Sequence, residues 1–64
     1  MFIKLTGDKN GKPVYINPDY IGLVYEKIYD QRVTIVELVG LGTCIVKVRE
    51  SVDEVIGLIR GNGK

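Results

Sequence analysis

The residues best suited to chemistry in this chain lie close together near its end, in the run Cys44-Ile45-Val46-Lys47-Val48-Arg49-Glu50-Ser51-Val52-Asp53-Glu54. A thiol, a hydroxyl and three carboxylates raise three chemistries: a cysteine nucleophile, a serine nucleophile and paired-carboxylate acid–base catalysis. Each lacks a requirement. The chain has no histidine, so neither Cys44 nor Ser51 has the usual base to activate it. A single cysteine makes neither an intrachain disulfide nor a zinc site. The carboxylates have a sufficient structural duty, because Glu50, Asp53 and Glu54 sit where a helix is expected to begin, and acids there face the positive end of its dipole. Ser51-x-x-Glu54 is a capping box, in which the Ser51 hydroxyl accepts from the Glu54 N–H while Glu54 reaches back to the Ser51 N–H. Cys44 reads as a small apolar core residue. These readings predict a protein that is not an enzyme and uses no cofactor and no metal.

A second constellation is aromatic. Tyr15, Tyr20, Tyr25 and Tyr29 fall in the middle of the chain with Lys12, Lys27 and Arg32 nearby. Tyrosines on a sheet flanked by cations can stack and neutralise single-stranded RNA. The same tyrosines serve a half-buried sheet equally well, with the ring packed and the hydroxyl in water. Lys9-Asn10-Gly11-Lys12 lacks the G-x-x-x-x-G-K-[ST] spacing of a phosphate-cradling loop and reads as a solvated hairpin tip.

The elements that position these residues follow from periodicity. Alternation predicts strands over about Phe2 to Thr6, Lys12 to Ile16, Ile21 to Ile28 and Arg32 to Leu38, then a fifth in which Cys44, Val46 and Val48 point inward. Asn10-Gly11 predicts a tight hairpin with positive φ at both turn positions, Asn17-Pro18-Asp19 a turn, and Gly40-Leu41-Gly42 a second hairpin. Pro13 belongs at an edge or a strand start, and Gly22 marks a bulge or a close approach. Val52, Val55, Ile56 and Ile59 recur at i, i+3, i+4 and i+7, as one face of a helix requires. The expected architecture is a β-rich α+β domain spanning 1–64, with five antiparallel strands in a twisted sheet or small partly open barrel, one C-terminal helix, and a frayed tail at 61–64.

Composition sets further bounds. A chain of 64 residues buries only about 60% of the surface its unfolded form exposes, so its core needs a supplement, and with disulfide and metal set aside that supplement is oligomerisation. The net charge of +1 creates no global field for nucleic acid or membrane. The absence of a secretory signal pattern and of any apolar run of about 20 residues predicts a cytoplasmic protein without membrane insertion, and an unpaired cysteine agrees with a reducing compartment.

Two resemblances add to this reading. I-K-L-T at Ile3 to Thr6, Asn10-Gly11, I-N-P-D-Y-I from Ile16 to Ile21, Thr34-Ile35 and above all V-R-E-S-V-D-E-V-I from Val48 to Ile56 resemble the small flagellar and swarming-motility proteins of the FlbD/SwrD type, over nearly the whole chain. That resemblance, to a family with phage-borne members, implies a cytoplasmic accessory protein acting through protein contacts. The size, the order of five strands and a helix, and the stretch Val46 to Ser51, which resembles a V-x-R-E-x junction, are similar to the carbon-storage regulator family of RNA-binding proteins. That similarity implies RNA contacts at Lys4, Thr6, Lys47 and Arg49, although Gly7-Asp8 stands here where the family is densely basic.

The fourth strand is apolar on both faces, Val33 and Ile35 pointing one way and Val36 and Leu38 the other, and one helix covers only one face of a sheet. The expected function is therefore a homo-oligomeric interaction module that binds itself and a further protein, with Val36, Leu38, Ile45 and Tyr25 at the self-association surface. The alternative is an RNA-binding regulator using Lys4, Lys47 and Arg49.

Overall fold

The computed structural model describes residues 2–28, 32–40, 42 and 44–61. The expected connection at Tyr29-Asp30-Gln31, positions Leu41 and Thr43 of the second hairpin, and the tail 62–64 lie outside the described residues. The elements are β1 (Ile3–Thr6), β2 (Pro13–Ile16), a single 3-10 turn (Pro18–Tyr20), β3 (Ile21–Ile28), β4 (Arg32–Leu38), β5 (Cys44–Val48) and α1 (Val52–Gly61). The fold is β-rich α+β.

Strands β1 and β2 pair antiparallel with Ile3 opposite Ile16 and Leu5 opposite Val14, and Pro13 opens β2, where no ladder donor is missed. Their connection differs from the expected tight turn. Only Gly11 has positive φ, at +71°, and the loop is closed by Gly7 N–H donating to the Lys12 carbonyl at 2.8 Å and Gly11 N–H to the Gly7 carbonyl at 3.1 Å. Asn10 contributes its side chain instead of a left-handed backbone: its Oδ1 accepts from the Lys12 N–H at 3.0 Å. After β2, Asn17 Oδ1 accepts from the Asp19 N–H and Pro18 starts the 3-10 turn, which carries the chain into β3.

Strands β3, β4 and β5 form a second antiparallel sheet in that order. Gly22 is a bulge: Ile21 pairs with Leu38 and Leu23 with Glu37, so two β3 steps meet one of β4. A Cβ at Gly22 would lie 2.7 Å from Val39 Cγ1, which is why glycine stands there. The bulge also flips the phase of the strand. Ile21 and Val24 pack against the core, while Leu23 and Tyr25 face outward.

The two sheets meet at one corner. Gly7 bridges Val48, the Asp8 N–H donates to the Lys47 carbonyl at 3.0 Å, and the Arg49 N–H donates to the Thr6 carbonyl at 2.9 Å. The sheets of two and three strands remain separate, with β2 and β3 at outer edges, and no barrel closes. The core lies between them and the helix: Ile3, Leu5 and Ile16 come from the first sheet, Val36 and Val48 from the second, and Val55 from α1. Burying such a side chain stabilises by about 1.5–3 kcal/mol, so α1 is held chiefly by Val55, with Ile59 packed beside it.

At its start α1 carries the reciprocal cap: Ser51 N–H donates to Glu54 Oε1 at 2.9 Å, and Glu54 N–H to Ser51 Oγ at 3.1 Å. Cys44 corrects the expected core assignment. It is an exposed free thiol, because β5 begins beyond the rim of the core, where its cross-strand partner Leu38 is itself only half-buried.

Candidate interaction surface

Alternation divides the side chains of the three-stranded sheet. One set, including Val24, Val36, Leu38, Val46 and Val48, turns toward the core. The other forms cross-strand rows on the opposite face: Leu23, Glu37 and Ile45 in one, Tyr25, Ile35 and Lys47 in the next. No element lies over this outer face among the described residues, since α1 packs on β3 and β1. Leu23 is 51% and Ile45 55% exposed, and Tyr25 37%. Ile35, paired with Tyr25 and Lys47, is buried and stands apart from the core cluster. The Tyr25 hydroxyl donates to Glu37 Oε2 at 3.0 Å, and that hydrogen bond to a carboxylate, more than desolvation, raises the phenol above its ordinary pKa.

This placement divides the expected self-association residues. Ile45 and Tyr25 lie on the outer face. Val36 and Leu38 do not: Val36 is fully buried in the core, and Leu38 is half-buried against it. The reason is phase, because β4 must turn one of its two apolar sets toward α1 and β1, and Val36 with Leu38 is the set that goes in. Leu23 was not expected on this surface. The glycine that breaks its alternation with Ile21 was visible in the sequence, but the direction of the flip was not.

The cations fall on a neighbouring region. Leu5 and Val48 point inward, so Lys4 on β1 and Lys47 and Arg49 on and just after β5 point outward, and the Gly7–Val48 bridge brings the two strands together. Arg49 is partly committed: its Nε donates to the Asp8 carbonyl at 3.1 Å, and its guanidinium crosses Gly11. Tyr15 stands directly opposite Lys4.

Glu50 is a residue whose role only the structure revealed. Its Oε1 accepts from the Thr6 N–H at 2.9 Å and its Oε2 from the Thr6 hydroxyl at 2.8 Å, tying β1 to the junction of β5 and α1. Partial burial pushes the Glu50 carboxyl up, but the two donations from Thr6 together with one from the Glu50 backbone N–H outweigh it and hold the carboxyl below its ordinary pKa. Glu50 is thus a clamp between elements and takes no part in the cap.

Two grooves lie among the described residues. An apolar one of about 300 Å³ runs between β3 and α1, lined by Pro18, Ile21, Leu23, Ile56 and Ile59. The other, of about 450 Å³, opens at the start of α1 and is lined by both signs of charge, with Arg32 Nε paired to Glu26 Oε2 at 2.9 Å. Among the described residues no cluster of three His, Cys, Asp or Glu side chains could hold a metal ion, and no helix is long and apolar enough to cross a membrane. No protein-family model, no curated protein and no solved structure matches the chain.

Proposed function

We propose that this chain is a non-enzymatic, cytoplasmic, homo-oligomeric protein-interaction module whose copies join through the outer face of the β3–β4–β5 sheet. The observation that carries this reading is the uncovered face on which Leu23 and Ile45, each more than half exposed, flank the Glu37 row beside Ile35 and Tyr25. Exposed apolar side chains gathered on one face mark a contact surface, and a chain this short gains the stability it lacks by covering them. A standard interface takes about 800 Å² from each partner, about one-sixth of the 4795 Å² this chain exposes. The resemblance to flagellar and swarming-motility proteins rests on turn, core and cap positions, none of them a catalytic motif, and implies an accessory protein acting through protein contacts.

Sedimentation and light scattering test the reading. At high micromolar concentration the wild type is expected to be a dimer or larger. The double substitution Leu23→Glu with Ile45→Glu is expected to leave circular dichroism unchanged and give a monomer. A compact wild-type monomer at that concentration overturns the proposal.

A further inference from the structure

Among the described residues, the four exposed aromatic side chains do not all belong to the face just described. Phe2 and Tyr15 are the most exposed of them, at 62% and 60%; Tyr15 lies on β2 and Phe2 immediately precedes β1. Ile3 and Leu5 turn inward from β1, so Phe2 and Lys4 turn outward, and Tyr15 faces outward directly across from Lys4. Two uncovered rings therefore flank one ammonium on the outer surface of the hairpin. The hairpin itself lies on the other sheet from the self-association face, and the two surfaces meet at Lys47.

The corner between the sheets adds charge to it. The Gly7–Val48 bridge sets Thr6 beside Arg49 and Asp8 beside Lys47, so the outward side chains of β1 continue into those that end β5. Lys9 and Lys12 are exposed in the adjoining hairpin loop. Five cations, Lys4, Lys9, Lys12, Lys47 and Arg49, thus share a region with two carboxylates, Asp8 and Glu50, an excess of three positive charges on a chain whose net charge is +1. Glu50 is turned onto Thr6, and Arg49, itself exposed, donates from Nε to the Asp8 carbonyl and lays its terminal nitrogens beside Gly11.

We infer that the outer surface of the β1–β2 hairpin, extended by the end of β5, binds single-stranded nucleic acid, with Phe2 and Tyr15 stacking on bases and Lys4, Lys12, Lys47 and Arg49 meeting phosphates. The pairing of ring and cation decides the class of ligand. Phosphates alone would be served by the cations, but exposed rings at both flanks of Lys4 match the planar faces of unpaired bases, which stack without regard to sequence. A duplex hides those faces, and an acidic polypeptide has none.

The test uses the full chain and fluorescent oligo-U and oligo-dT of about 12 nucleotides, with a duplex of equal length and polyglutamate as competitors. Anisotropy is expected to show binding to the single strands that weakens with salt, with a log–log slope of about −3 for four contacted phosphates. Each lysine→glutamine substitution among Lys4, Lys12 and Lys47 reduces that slope by about 0.7. Tyr15→Ala and Phe2→Ala weaken binding about tenfold each without changing the slope, whereas Tyr15→Phe retains affinity. Comparison of oligo-U with oligo-dT tells RNA from DNA as the favoured strand. The inference is overturned by absence of binding at low salt, by equal competition from duplex or polyglutamate, or by indifference to Tyr15→Ala and Phe2→Ala in variants whose circular dichroism shows an intact fold.

Discussion

Glu50 and Glu54 stand four residues apart in the same acidic stretch and do different work. Glu54 closes the helix cap on Ser51, while Glu50 receives both the amide and the hydroxyl of Thr6, 44 positions away. Removing the hydroxyl alone, by Thr6→Val, is expected to cost about 1 kcal/mol at neutral pH, a charge-assisted hydrogen bond reduced by its partial exposure. Because the Glu50 carboxyl is held below its ordinary pKa in the folded chain, its contribution to stability is present above about pH 4.3 and is lost as the pH falls through the folded value. Urea unfolding should therefore show Glu50→Gln less stable than the wild type at pH 7, with the difference closing in acid. A constant difference across that range removes the ionised clamp. The cap was legible in the sequence because its partners are three residues apart. The clamp was not, because nothing local distinguishes a carboxylate facing a dipole from one facing another strand.

At the scale of elements, α1 combines a favourable start with an unfavourable middle. The Ser51 cap is worth about 1 kcal/mol, which Ser51→Ala forfeits. Gly57 is exposed, is helical and has no atom within 4 Å of where a Cβ would stand, so Gly57→Ala should raise stability by about 0.8–1 kcal/mol. Thermal unfolding measures both, and a Gly57→Ala variant no more stable than wild type would show that α1 is not helical at that position in solution. Strand β3 shows the opposite case, an element whose extent was legible but whose faces were not. Its alternation joins Ile21, Leu23 and Tyr25 on one side, yet the Gly22 bulge sends Ile21 to the core and Leu23 to the surface. The steric reason is a contact with Val39, 17 positions further on.

For the whole molecule, the proposed self-association links stability to concentration. If the outer sheet face is covered by a second copy, folding and assembly are coupled, and the unfolding midpoint of the wild type rises with protein concentration. The Leu23→Glu, Ile45→Glu double variant should lose that dependence. A midpoint independent of concentration for the wild type contradicts coupled assembly. What the sequence determined by itself was local: five strands and a helix in order, the turns at Gly7–Gly11 and Asn17–Asp19, the bulge at Gly22 and the cap at Ser51, each set by interactions among near neighbours in the chain. Tertiary structure decided which apolar set of β4 goes inward, why Val36 and Leu38 are core while Leu23 and Ile45 face out, and how one bridge between Gly7 and Val48 gathers Lys4, Lys47 and Arg49 on one side. An alternating strand offers two equivalent faces, and only packing against β1 and α1 breaks that equivalence.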